Sequence, residues 1–303
     1  MRAIIALAVA IAVGGLTATP AAATGWCRTG QLNILLTNDD GYQAPGIRAL
    51  QTALTHAGHK VTMVAPLTNQ SGTSAAINFT VVPVSNPEPG VWTVDATPAT
   101  AVLLGVSAIF PANLHPHLVV SGINSGANIG SATPISGTVG ATIAAITQMP
   151  QAFPAIAIST DLVDGSASNP SSPANLAHFD QVAGFTVRLV GQLIANSCSN
   201  AVGLLPARTA INVNYPPLAP ADVEGVVTAV QARLPHFTVG FAPIGGGLYA
   251  PTFAGADPSQ SGPNSDTVLF SAGYVTVVPI DGNYTAARGV AAKIDQAIDG
   301  LQP

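Results

Sequence analysis

The chain has 303 residues, of which 48% are hydrophobic and only 8% charged, with nine Lys and Arg against fourteen Asp and Glu. That length buries a substantial core, and high apolar content with a formal net charge of -5 argues for a folded protein. So few basic side chains exclude a groove that neutralises a nucleic-acid backbone.

Arg2 precedes an uncharged run from Ala3 to Gly15 and small residues ending in Ala21-Ala22-Ala23. This pattern predicts a signal peptide over residues 1–23, cleaved near Ala23, and an exported product, periplasmic or secreted. An uncleaved anchor is the competing reading, but the apolar run falls short of the ~20 residues that cross a bilayer. After cleavage no membrane association is expected. Cys27 and Cys198 are the only cysteines. In an oxidising compartment they are most simply one disulfide, with two free thiols as the alternative.

From Leu32 the chain alternates between strands and helices. Leu32 to Thr37 is a short apolar run without helical period, and reads as a buried strand. Ile47, Leu50 and Leu54 recur at helical spacing until Gly58. Strands follow at Val61 to Ala65, Ile77 to Val84 and Val91 to Val94, the last two separated by the turn-forming Asn86-Pro87-Glu88-Pro89-Gly90. Pro98 opens a helix running to about Phe110. Leu118 to Val120 is a strand, Thr138 to Thr147 a helix, Ala155 to Ile158 a strand, Ala174 to Asn196 a long helix and Ala210 to Val213 a strand. The Ser- and Pro-rich stretch from Gly165 to Pro173 reads as a surface insertion. Beyond about residue 217, strand-like pieces at Gly225 to Val230, Phe237 to Phe241 and Gly273 to Ile280 are separated by Gly, Pro and Ser, with loops at Gly245-Gly246-Gly247 and Asp257 to Asn264. The expected fold is therefore α/β: a Rossmann-like, doubly wound, mainly parallel sheet over residues 24–216. Residues 217–303 form a β-rich C-terminal extension with a terminal helix, within the same domain.

Ligands of such sheets bind beyond the carboxyl ends of the strands, and three strand ends here carry polar loops. In Thr37-Asn38-Asp39-Asp40-Gly41, two adjacent carboxylates at a buried strand end make sense around a divalent cation such as Mg²⁺ or Mn²⁺. A solvated turn that caps the helix near Gly46 is the alternative. Asn69-Gln70-Ser71-Gly72-Thr73-Ser74 offers hydroxyls and N–H groups to a metal or an anion. Ser121-Gly122-Ile123-Asn124-Ser125-Gly126-Ala127-Asn128-Ile129-Gly130, with Ser136-Gly137-Thr138, brings glycines for close approach and a helix N-terminus suited to phosphate. The chain contains no G-x-x-x-x-G-K-[ST] loop, G-x-S-x-G elbow or H-E-x-x-H motif, and its acidic pair does not fit a calcium-loop pattern. The six histidines are scattered and read as structural or solvent-facing.

Taken together, these loops resemble the SurE (survival protein E) nucleotidase family. The likeness is carried by Ile34 to Gly41 with Ala44-Pro45-Gly46-Ile47, by Val64-Ala65-Pro66 with Asn69 to Gly72, and by Val119 to Asn124 with Gly126, Asn128 and Gly130. Thr97-Pro98, Ser136-Gly137-Thr138-Val139, Asn212-Val213-Asn214-Tyr215-Pro216 and Asp266 with Gly273-Tyr274-Val275 extend it, in order, to about residue 280. The resemblance implies a metal-dependent phosphomonoesterase acting on nucleoside 5′- and 3′-monophosphates, and on short polyphosphate. It implies one divalent metal ion on Asp39, Asp40, Ser71 and Asn124, and phosphate at Asn69, Asn128, Ser136, Gly137 and Thr138. Asp39, Asp40, Asn128 and Ser136 are then the catalytic set, with Asp39 as base or nucleophile and Asp40 chiefly a ligand. It also implies a homodimer or homotetramer built through the C-terminal β extension. The chain departs from the family pattern at Ser131 to Ile135, where acidic residues and a Tyr are usual, and at Gln70, where a basic residue is common. Two other classes stay open: an exported binding protein of the same fold without turnover, and a structural or adhesive surface protein suggested by the Ala/Gly/Pro composition.

Overall fold

The computed structural model describes residues 30–111, 114–164, 169–197, 203–286 and 288–299. The expected signal peptide and both Cys27 and Cys198 lie outside the described residues, so neither export nor the disulfide is addressed by the fold.

The first strand, β1 (Asn33–Thr37), has four of its five residues buried, as a strand covered on both faces requires. Helix α1 (Pro45–His56) starts on a Pro in its first turn and buries Gly46, Ile47, Leu50 and Leu54. There follow β2 (Lys60–Pro66), β3 (Val84–Glu88), β4 (Val91–Val94) and α2 (Pro98–Leu104), the last capped by Thr97. Next come β5 (Leu118–Ser125), a 3-10 segment over Gly130–Ile135, α3 (Gly137–Thr147), β6 (Ala155–Thr160), α4 (Pro173–Ser197) and β7 (Ala210–Tyr215). The chain continues through β8 (Gly225–Thr228), β9 (Phe237–Gly245), β10 (Leu248–Gly255), α5 (Asp266–Ser271), β11 (Tyr274–Ile280) and α6 (Arg288–Ala297).

Nine strands form one sheet in the order β3-β4-β2-β1-β5-β6-β7-β11-β8. From β4 to β7 every neighbour is parallel; β3 pairs antiparallel with β4, and β11 antiparallel with β7. One face packs on α1 and α4, through Ile47, Leu50, Leu54, Phe179, Val182 and Val190. The other packs on α2 and α3, through Ala101, Val102, Val139 and Ile146. The chain leaves β1 toward β2 on one side and returns to β5 on the other. The carboxyl ends of β1 and β5 are thus a topological switch point, where such sheets open a crevice for ligands.

Three expectations need correction. Residues 77–83 form no strand, because Asn78 is bonded to the first turn of α2: its N–H donates to Thr100 Oγ1 (2.8 Å) and its Oδ1 accepts from Thr97 N (3.0 Å). The strand is instead β3, which runs over the expected turn and leaves only Pro89-Gly90 to reverse the chain. The helix expected to Phe110 is α-helical only to Leu104, then widens into a π turn over Gly105–Ile109. In the C-terminal region β8 and β11 belong to the main sheet, and only the β9–β10 hairpin forms a separate one. Its three-glycine connection is legible in the backbone, since Gly245, Gly246 and Gly247 all have positive φ. Strand β10 and helix α5 have no counterpart among the elements expected from the sequence.

Candidate functional site

The crevice is built from three loops tied to one another. In the first, Asn38 Nδ2 donates to the Gly41 carbonyl (2.8 Å) and closes a tight turn directly after β1. That turn directs Asp39, 2% exposed, to the N-terminus of α3. The Thr138 hydroxyl donates to Asp39 Oδ1. Burial pushes the Asp39 carboxyl above its usual range, while the Thr138 hydroxyl and the N–H groups of Gly137 and Thr138 pull against that rise. Only glycine fits at 137, since a Cβ there would lie 2.9 Å from Asp39 Oδ2 and 2.8 Å from its Cβ. Asp40 is half-buried and accepts the Ser125 N–H at Oδ2 (3.0 Å). Its carboxyl is pushed up to about 6, first by burial and then by the Asp39 charge beside it. The alternative of a solvated capping turn is not what the structure shows: α1 is entered from Ala44, with no side-chain cap.

The second loop is fastened to the first by Gln70 N donating to the Asp39 carbonyl (2.7 Å). Asn69 Oδ1 accepts the Ser71 N–H (2.8 Å), and both residues are exposed. Asn69 thereby keeps its Nδ2 free to donate, and Ser71 its hydroxyl. Further on, Ser74 Oγ donates to the Pro134 carbonyl (2.6 Å) and Ser74 N to that of Ile135 (3.1 Å). The loop rests so closely on α3 that a Cβ at Gly140 would fall 2.0 Å from the Ser74 oxygen.

The third loop leaves β5 after Ser125; Asn124, near the end of that strand, donates Nδ2 to the Gly126 carbonyl (2.7 Å) and leaves Oδ1 for a cation. Asn128 is 8% exposed, and Ser136 caps α3 by accepting the Val139 N–H (3.1 Å). The expected residues Asp39, Asp40, Gly137, Thr138, Asn69 and Ser71 are thus joined by direct bonds or by one intervening residue. The Thr138 hydroxyl is bonded to Asp39, so this residue ties the first loop to the start of α3.

Several supporting residues have no role assigned from the sequence. Asp161 Oδ1 accepts the Ala127 N–H (2.7 Å). Asp266, fully buried, accepts N–H groups of Gly130 (3.0 Å), Ala232 (2.8 Å) and Thr267 (2.8 Å). Asn212 and Asn214 of β7 reach Asn128. The Asn pair and Asp266 stand in motifs that carry the family likeness, but nothing local marks what these residues hold. Apart from Thr267, their partners are 34 to 136 positions away. Thr37, Ser121 and Asn212 lie in one register row across β1, β5 and β7, on one face below the loops. Thr37 Oγ1, Ser121 Oγ and Asn212 Oδ1 are buried there without a hydrogen-bond partner among the described residues. Histidines found in contact are structural: His59 and His117 accept backbone N–H groups of Leu32 and Asn33, and His178 Nε2 meets Thr160 Oγ1.

Among the described residues no group of three or more His, Cys, Asp and Glu is placed to hold a metal. Any cation at this crevice must therefore rest on the Asp39–Asp40 pair with neutral oxygens. The donors fit that task. Two carboxylates stand together without a basic side chain bonded to either among the described residues, and the hydroxyl and amide oxygen beside them suit a hard cation.

Comparison with known proteins follows the same residues. The family model described as Survival protein SurE matches residues 34–236. A 5'-nucleotidase SurE of Nitratidesulfovibrio vulgaris (strain DSM 19637 / Miyazaki F) is 34% identical over 279 residues, covering 86% of this chain and 91% of the relative. One from Actinobacillus pleuropneumoniae serotype 5b (strain L20) is 33% identical over 272 residues, covering 87% and 99%. The crystal structure of the SurE protein from Aquifex aeolicus superposes with a TM-score of 0.69 at 29% identity, covering 88% of this chain and all of that one.

Proposed function

Because the chain belongs to the SurE family of survival proteins, we propose that it is a metal-dependent phosphomonoesterase that releases phosphate from nucleoside monophosphates, the 5′-monophosphates first. The observation that carries this reading is the pair of buried Asp39 and half-buried Asp40 at the β1/β5 switch point, set against the N-terminus of α3 without a neutralising side chain among the described residues. Asp39, Asp40, Ser71 and Asn124 are the residues that would hold one divalent ion, Mg²⁺ or Mn²⁺. When bound, such an ion would supply the positive charge that no described basic side chain brings to this pair and would acidify a water for attack on phosphorus.

The remaining work falls to the chain's own groups. Asn69 Nδ2, Asn128, the Ser136 hydroxyl and the N–H groups at the start of α3 hold the equatorial phosphate oxygens as charge develops. Thr138 and α3 fix the orientation of Asp39. On this reading Asp39 accepts the proton of the attacking water, and Asp40 is chiefly a ligand. The leader-like Met1 to Ala23 supports export and a scavenging role on nucleotides outside the cytoplasm; recovery of the protein in the cytosol with its leader intact overturns that part. The exposed β9–β10 hairpin supports a homodimer or homotetramer.

The deciding experiment is hydrolysis of nucleoside 5′- and 3′-monophosphates by the purified protein, with and without Mg²⁺ or Mn²⁺, beside Asp39→Asn. Turnover that needs the cation and falls at least roughly a hundredfold in Asp39→Asn is expected. Metal-independent turnover or an unimpaired variant overturns the mechanism, and nucleotide binding without turnover points to a binding protein of the same fold.

A further inference from the structure

We propose that Ser159, on β6, is a positioning residue that sets the side-chain amide of Asn128 for the substrate phosphate; this rests on the reading of Asn128 as a phosphate contact. Asn128 is fixed at each of its polar groups except one. Its N–H donates to Asn214 Oδ1 (2.7 Å). Its carbonyl accepts from Asn212 Nδ2 (2.8 Å), Asn214 Nδ2 (3.2 Å) and Thr133 Oγ1 (3.1 Å). Those four bonds immobilise the backbone but leave the amide free to turn, since the terminal torsion of an Asn side chain lies in a broad well. The bond that stops it is Asn128 Nδ2 to Ser159 Oγ (2.9 Å).

The sheet explains why Ser159 is the residue in place. It is fully buried and stands in register between Asn124 of β5 and Asn214 of β7. In-register residues share a face, so the side chain beside it on one flank comes from the metal-site loop and on the other from the Asn128 backbone clamp. An apolar residue here would satisfy packing equally well, as Ala157 and Ile158 do immediately before it. A hydroxyl is useful here only through the bond it makes. An amide has two N–H donors; Ser159 takes one and orients the plane in which the other is presented to an anion.

The test is a cycle of Ser159→Ala, Asn128→Ala and the double variant, read by kcat/KM on a nucleoside 5′-monophosphate and by calorimetric binding of inorganic phosphate. Ser159→Ala is expected to lower kcat/KM and phosphate affinity by roughly tenfold each, the scale of a misplaced hydrogen bond to a charged group. Asn128→Ala is expected to lose more, and the double variant no more than Asn128→Ala alone, because Ser159 acts only through that amide. A merely structural serine gives additive losses that track a falling Tm and leave phosphate affinity intact. Wild-type values in Ser159→Ala, or additive losses, overturn the assignment while the enzymatic reading stands. A wild-type protein that neither hydrolyses monophosphates nor binds phosphate overturns the reading beneath it.

Discussion

Asp40 holds its carboxyl at about 6 against an ordinary 3.8, and Asp39 beside it is raised as well, both first of all by burial. A carboxyl raised in the folded state binds its proton more tightly folded than unfolded. The stability it contributes is therefore present below about pH 4 and lost as the pH climbs through 6. For Asp40 alone that loss is on the order of 3 kcal/mol. A divalent cation reverses the preference, because it needs both groups ionised and competes with their protons. The expected outcome is that Mg²⁺ or Mn²⁺ raises Tm substantially at about pH 7.5 and little at about pH 5, measured by calorimetry on protein stripped of metal. An equal gain at both values counts against metal binding by this pair. These two residues were legible in the sequence because an adjacent acidic pair stands out in so uncharged a chain. What holds them was not: Thr138 lies 99 positions from Asp39, and Ser125, which acts on Asp40 through its backbone N–H and its side chain, lies 85 positions away.

Elements were legible where burial imposes a period. Strand β1 and the first half of β5 are apolar runs because both faces of the sheet are covered, and α1 repeats its apolar residues on one stripe; the polar second half of β5, Ser121 to Ser125, read as loop. The hairpin was only half legible, since β10 is exposed along almost its whole length. Helix α5 is six residues long, too short to show a period. Contacts between elements leave a different trace, in glycines whose missing Cβ makes room. Gly46 lets α1 approach the Ile123 carbonyl of β5, where a Cβ would sit 2.0 Å from the oxygen, and Gly140 does the same for α3 against Ser74. The obstruction in each case is backbone, so it is not relieved by turning a side chain. Gly140→Ala should displace the loop that carries Ser71, cost about 1–3 kcal/mol and weaken Mn²⁺ binding by calorimetry. Gly191→Ala is the matched control: that position on α4 is exposed with nothing within 4 Å, so it should hold or raise Tm and leave Mn²⁺ binding unchanged. Equal effects of the two substitutions would remove the argument that close approach of α3 places the loop.

At the scale of the whole molecule, the sheet core and the β9–β10 hairpin obey opposite rules. Buried apolar residues fill the layers between sheet and helices, whereas the hairpin presents its apolar residues outward. The register pairs Val239 with Phe253, Phe241 with Pro251 and Tyr249 with Pro243. Side chains of register partners, and of every second residue, share a face. Val239, Phe241, Tyr249 and Phe253 therefore form one continuous surface, 48 to 70% exposed at each residue. The opposite face carries Thr238, Gly240, Ala242, Ala250 and Thr252, small residues suited to solvent or close approach. A two-stranded sheet is marginal by itself, and contiguous exposed apolar area of this kind is the mark of an interaction surface. On the proposed homo-oligomeric reading a second copy of the chain would cover it, because a two-fold pairing sets each apolar face against its like. Covering this face would stabilise the hairpin and the protomer pair together. Light scattering across a concentration series should show the protein as a dimer or larger. The double substitution Phe241→Glu and Phe253→Glu places like charges on that face and should return it to a monomer. Its main-sheet core, which neither side chain enters, should keep its far-ultraviolet spectrum. A monomeric wild-type protein at every concentration, or a doubly charged variant of unchanged mass, would show that the hairpin face is not the joining surface.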